Sequence, residues 1–167
     1  MRFALAGLLL ALGALLQSLI GPTLPLVHGR PDFVLVVVLV WAMLRGSNEG
    51  AFVGFLGGAL LDSVSYTPFG INAALLGLVG YCTRLPEVNV YRGNLPYFLA
   101  TAALATLAYH TLYFLLLQAM GLSLPPILDT YAAAFPAAVL NAVLLVPTFL
   151  FCRRLLRMLA GWTQLRL

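Results

Sequence analysis

Residues 50–81 read GAFVGFLGGALLDSVSYTPFGINAALLGLVGY, two apolar stretches joined by a short polar turn. Gly50, Gly54 and Gly58 recur every fourth residue, Gly57 stands beside them, and Asp62 continues the row. Spacing of four places these residues on one helical face. Small residues on such a face let a second backbone approach closely, the usual device of membrane helix packing. The neighbour is either another helix of this chain or a helix of a partner. In the turn, Pro68 stops the first helix, Gly70 supplies an unusual dihedral, and Asn72 caps or braces the second helix. A carboxylate inside a span is costly and is kept for a reason. Two roles stay open for Asp62. It accepts hydrogen bonds from the free N–H groups that begin the next helix, or it binds an ion, a proton or a substrate.

The rest of the chain has the same character. Of 167 residues, 62% are hydrophobic and 8% are charged, with a mean hydropathy of +1.01. Soluble domains carry roughly 25% charged residues, and disorder needs low hydrophobicity, so both classes are excluded. Six apolar segments cover residues 3–20, 31–44, 50–66, 70–83, 95–120 and 132–152. Helix breakers separate them: Gly21-Pro22 with Pro25, Arg45-Gly46-Ser47-Asn48, Pro68-Phe69-Gly70, Pro86 through Pro96, and Gly121 through Pro126. The segments are continuously apolar, which argues against a β-barrel. The expected fold is therefore an all-α polytopic membrane protein with six transmembrane helices in one integral domain, 1–167. Segments two and four are short: fourteen residues reach about 21 Å against a hydrocarbon core of about 30 Å. They borrow flanking residues, tilt, or sit sheltered among their neighbours. Segment one is expected to be a retained helix, because it is long enough to span and its n-region holds only Arg2.

Charge placement sets the orientation. All nine basic residues are arginine. Six spans with both termini inside put Arg2, Arg45, Arg84, Arg92, Arg153, Arg154, Arg157 and Arg166 on the cytoplasmic side, and Arg30 alone outside. This bias accounts for a pI near 9.4 without invoking nucleic acid. The tail, 153–167, reads as a stop-transfer signal followed by an interfacial helix anchored by Trp162, on a lipid bilayer or a cytoplasmic partner. Cys82 and Cys152 have no metal or redox spacing and are expected to be packing elements.

Arg30 and Asp32 are the outer-face charged candidates. Pro31 and Asp32 suit a first helical turn, and Arg30 is expected to pair with Asp32, Asp62 or Asp129. His28 reads as a solvated loop residue. Gln17, His110, Gln118 and Asn141 are expected to hydrogen-bond between helices, and His110 with Asp62 is a further option as a proton relay. Ala134, Ala138 and Ala142 form a small-residue row, a helix–helix interface for an internal neighbour or a single-span partner. No closely spaced carboxylate pair, HExxH, GxSxG, CxxC or P-loop occurs. No catalytic residue, metal ligand or cofactor is expected, and the chain reads as a non-enzyme.

RPDFVLVVVLVWAM, followed by GAFVGFLGGALLDSVSYTPFGINAALLGLVGY, resembles the rod shape-determining protein MreD family. The likeness is clearest from Arg30 to Tyr81, and the glycine row ending in Asp62, then Pro68, Gly70 and Asn72, is its most specific part. The resemblance implies a non-enzymatic scaffold of the bacterial cell-elongation machinery in the cytoplasmic (inner) membrane. Its implied partners are MreC, the actin-like MreB, the glycosyltransferase RodA and a class B penicillin-binding protein, which together direct side-wall peptidoglycan synthesis. The alternative is the substrate-binding component of an energy-coupling-factor vitamin transporter. Those proteins are also small, six-helix and rich in alanine and glycine, and they resemble MreD in fold. They bind a small molecule near the outer face, where Arg30, Asp62 and Asn72 are expected. The short loop after Tyr66 favours the scaffold.

Overall fold

A computed structural model describes residues 2–20, 29–65, 68–83, 95–122 and 124–164. Expectations for Pro22, Pro25, His28, Tyr66, Thr67, Arg84, Pro86, Arg92 and Arg166, and for the side chains of Arg2 and Trp162, lie outside the described residues. The described residues form six α-helices: α1 (Arg2–Ile20), α2 (Phe33–Arg45), α3 (Ser47–Val64), α4 (Ile71–Cys82), α5 (Leu95–Ala119) and α6 (Ile127–Gln164). Two of them are long and apolar enough to cross a membrane, over Pro96–Ala119 and Ile127–Met158, while α1, α2 and α4 are shorter apolar helices.

The centre is α2. Every residue from Val34 to Met43 is buried, and α1, α3, α4 and α6 all pack against this helix. A helix that is hydrophobic all round belongs inside a larger assembly of helices. Its thirteen residues reach only about 20 Å, and the neighbours on all sides shelter its ends. Leu35, Leu39 and Trp41 of α2 are sealed there together with Leu10 of α1, Leu76 of α4 and Leu145 of α6.

Between α2 and α3 the break is a single residue. The Arg45-Gly46-Ser47-Asn48 interruption reduces to Gly46, at φ 110°, ψ 169°, while Ser47 and Asn48 form the first turn of α3. Arg45 spans the break with two hydrogen bonds to Glu49, Nε to Oε2 and Nη2 to Oε1, each 3.1 Å. One glycine in a conformation closed to other residues reverses the chain with almost no loop.

The α3–α4 pair is the tightest contact. A methyl group on Gly54 would lie 2.1 Å from the Leu76 carbonyl oxygen, and one on Gly58 would lie 2.2 Å from that of Asn72. On Gly50 it would meet Ala42 at 2.5 Å and the Gly80 carbonyl oxygen at 2.7 Å. Each four-residue step up α3 meets a four-residue step down α4, so the two antiparallel backbones touch at three successive rungs. Gly57 points elsewhere, toward Leu10 and Val34. The glycine row is therefore filled by the chain's own helix.

At the other end of the chain, α6 runs unbroken for 38 residues with Pro136 and Pro147 inside it, about 57 Å in all. The segment read as 132–152 thus extends at both ends: the helix starts at Ile127 and passes Cys152 through Arg153, Arg154 and Arg157. Backbone hydrogen bonding ignores the place where apolar composition stops, and leucine and arginine are both good helix formers. Ala134, Ala138 and Ala142 are buried in a helix that packs on α5 and α2. Cys152 is a buried free thiol and Cys82 an exposed one.

Candidate functional site

Both short helices begin with N–H groups that their own sequences leave unsatisfied. No side chain of the N-cap residue binds the first turn of α2 or of α4. The missing acceptors come from elsewhere in the fold.

For α4 the acceptor is Asp62, in the last turn of α3 and only 4% exposed. Its Oδ2 accepts the backbone N–H groups of Gly70 at 2.9 Å and Ala73 at 3.0 Å. Its Oδ1 accepts the Asn72 backbone N–H at 3.1 Å and the Asn72 Nδ2 at 2.9 Å. The carboxylate thus caps the positive end of the neighbouring helix, where hydrogen bonding and the helix dipole both favour negative charge. Gly70, at φ 105°, turns the chain so that these donors converge. Asn72 completes the arrangement by accepting the Tyr109 hydroxyl of α5 on Oδ1 at 2.6 Å. Pro68 is half-buried in the turn.

For α2 the acceptors come from α6 and α1. Asn141 Oδ1 accepts the Asp32 backbone N–H at 2.8 Å, and Gln17 Oε1 approaches the Val34 N–H at 3.5 Å. The Asn141 amide nitrogen donates to Thr106 Oγ1 at 3.2 Å and lies 3.4 Å from Asp32 Oδ2. Asn141 and Thr106 are completely buried.

Asp32 departs from the role its position suggests. Its carboxylate turns away from its own helix to His110, whose Nε2 lies 3.0 Å from Oδ2. Arg30 is exposed, and among the described residues the ion pairs are Arg45–Glu49 and His110–Asp32. The expected pairing of Arg30 with Asp32, Asp62 or Asp129 does not form, because Asp62 is saturated by α4 and Asp32 is held by α5 and α6. His110 likewise reaches Asp32 and not Asp62. A direct relay between His110 and Asp62 has no geometric basis.

The two capped ends face one cavity of about 360 Å³. Gln17 and Ser18 of α1, Asp32 ahead of α2, Asn72 of α4, and Tyr109 and His110 of α5 line it, with Ala14, Leu61 and Val64 as apolar wall. Sequence alone did not single out Tyr109 or Thr106. Both sit in the long apolar run of α5, and nothing local marks which of its tyrosines and threonines faces a buried acceptor. Groups of three or more potential metal ligands are absent among the described residues.

The profile of the rod shape-determining protein MreD family matches residues 1–159 of the 167-residue chain. The chain belongs to the MreD family. No curated protein and no solved structure matches it. MreD proteins are shape-determining membrane proteins, so membership carries a role in rod shape determination and a membrane setting for the helices described above. The glycine rungs and the Asp62 cap lie well inside the matched region.

Proposed function

We propose that this MreD is a multi-pass scaffold of the bacterial inner membrane that binds MreC and supports side-wall peptidoglycan synthesis. The match to the MreD family over residues 1–159 is the observation that carries this reading. In it, all six helices cross the bilayer, both termini are cytoplasmic, and the arrangement is that of energy-coupling-factor substrate-binding components. Arg153, Arg154 and Arg157 on α6 then mark the cytoplasmic end of the last span. The capped ends of α2 and α4 face outward.

The packing limits where a partner helix docks. The glycine row of α3 and the alanine row of α6 are consumed inside the chain. An apolar groove of about 330 Å³ remains between α1 and α6. Leu9, Leu12 and Leu16 form one wall, Pro147 and Phe151 the other, and Val37 of α2 lies at its floor. Two turns of helix on each wall suit a crossing helix packed through van der Waals contact. We assign this groove to the transmembrane helix of MreC.

Pull-down from mild detergent tests the scaffold: MreC and the RodA–penicillin-binding protein pair should be recovered, and recovery of transporter ATPases in their place would overturn it. Photo-crosslinkers at Leu12 and Phe151 should capture MreC. Capture only from a probe at Phe55, on the exposed side of α3, would move the interface off the groove. Depletion in a rod-shaped host should round the cells, and unchanged shape would count against the role.

A further inference from the structure

The cavity between the capped ends is left over once scaffolding is assigned, and its chemistry is uneven. At about 360 Å³ it falls in the size range of small-molecule sites, which combine apolar walls with a few convergent polar groups. Asp32 Oδ2 is engaged by His110 and Asn141. Among the described residues nothing donates to Asp32 Oδ1, although the side chain is only 15% exposed. Oδ1 is therefore a free acceptor on the cavity wall, still touched by solvent and open to a charged donor that enters there.

The surroundings select the donor. Among the described residues no arginine lines the cavity, and the second carboxylate, Asp62, sits directly behind Asn72. The one cationic candidate among the described lining residues, His110, is already paired with Asp32. Tyr109 and Tyr113, stacked with ring centroids 6.0 Å apart, belong to the wall, and aromatic rings attract ammonium groups electrostatically. The Ala14, Leu61 and Val64 surface suits a short carbon chain better than a hydrated metal ion.

We propose that this cavity binds a small organic ammonium group, its nitrogen donating to Asp32 Oδ1 and its carbon skeleton lying against Ala14, Leu61 and Val64. The site stands independently of the scaffold function. Two sources supply the same chemistry: the aminoethyl head of a membrane lipid, or a free primary amine on the outer side.

The test uses the full chain in nanodiscs of phosphatidylglycerol, which carries no ammonium, with n-butylammonium as probe and thermal unfolding as readout. Butylammonium should raise the unfolding midpoint saturably, while 1-butanol and butyrate should not. Asp32→Asn should weaken the response at least about tenfold, since a charge-assisted hydrogen bond is lost. Ala14→Phe, which fills the cavity and leaves the carboxylate in place, should abolish it, so the result does not depend on Asp32→Asn folding. Replacing part of the lipid by phosphatidylethanolamine separates the sources. Competition with butylammonium identifies the lipid head, and an unchanged response identifies a free amine. No saturable shift, an equal shift from butanol or butyrate, or an unaltered response in Ala14→Phe would overturn the proposal.

Discussion

Asn72 donates twice to the same oxygen of Asp62, from its backbone N–H at 3.1 Å and from its side-chain amide at 2.9 Å. Its own carbonyl oxygen lies where a methyl group on Gly58 would stand, 2.2 Å away. One residue therefore fixes both the charge at the end of α3 and one of the close approaches of its backbone.

Removing that charge should be costly. Asp62→Ala leaves four donors near a buried site without an acceptor, and each such donor costs about 1–3 kcal/mol where water cannot replace the partner. Partial hydration of the turn reduces the sum, and we expect a loss of about 3 kcal/mol or more. Asp62→Asn keeps one acceptor oxygen and should fall between alanine and the native residue. Chemical unfolding in detergent measures the order, and an alanine variant as stable as the native chain would contradict the capping role.

The rungs make a contrast among glycines. Gly54→Ala and Gly58→Ala press a methyl group into a backbone carbonyl, which cannot move aside as a side chain can, so each should destabilise by about 1–3 kcal/mol. Gly7 lies inside α1 with nothing within 4 Å of an added Cβ. Gly7→Ala should be neutral or stabilising by up to about 1 kcal/mol, from helix propensity alone. Unfolding midpoints of the three variants check the contrast.

At the α2–α3 break, Gly46→Ala forces a side chain into a backbone conformation reserved for glycine and should cost about 1–3 kcal/mol. Glu49→Gln removes only the half-exposed ion pair beside it and should change stability by less than about 1 kcal/mol. If the two variants were equally destabilised, the break would owe its geometry to the ion pair.

The buried amide of α6 is testable through its neighbours. Asn141→Leu strands the Asp32 N–H and should cost about 2 kcal/mol, whereas Thr106→Val removes one hydroxyl contact and should cost about 1 kcal/mol. Because the two side chains touch, the double variant should lose less than the sum of the singles. Strict additivity in a double-mutant cycle would place them in separate networks.

These residues were unequally legible in the sequence. Gly50, Gly54, Gly58 and Asp62 are legible because a four-residue repeat is a local signal, and the turn that follows them brings α4 back along the same face. Asp32, His110 and Asn141 meet across 78 and 109 residues, and no local pattern encodes such a contact. As the one basic residue expected outside, Arg30 is a candidate partner for Asp32, Asp62 or Asp129, but the tertiary fold supplies Asp32 with a histidine. The arginines after Cys152 mark the expected start of an interfacial helix, and α6 runs into it without a break, since lipid boundaries and helix boundaries answer to different forces. Gly46-Ser47-Asn48 looked like a loop because serine and asparagine favour turns. They serve as well in the first turn of a helix.

In the six-span arrangement proposed above, the Asp62 cap also bears on how the chain enters a bilayer. A carboxylate carried into hydrocarbon on α3 alone has no donors, and the first turn of α4 alone has no acceptor; each penalty is cancelled only by the other. The contacts that cancel them span eight to eleven residues, so they can close while the ribosome is still extending α5. Stepwise entry passes through an uncompensated charge, and concerted entry of the α3–α4 hairpin does not. Aspartate and glycine, both poor choices for a helix crossing lipid alone, thereby favour two helices inserting as one.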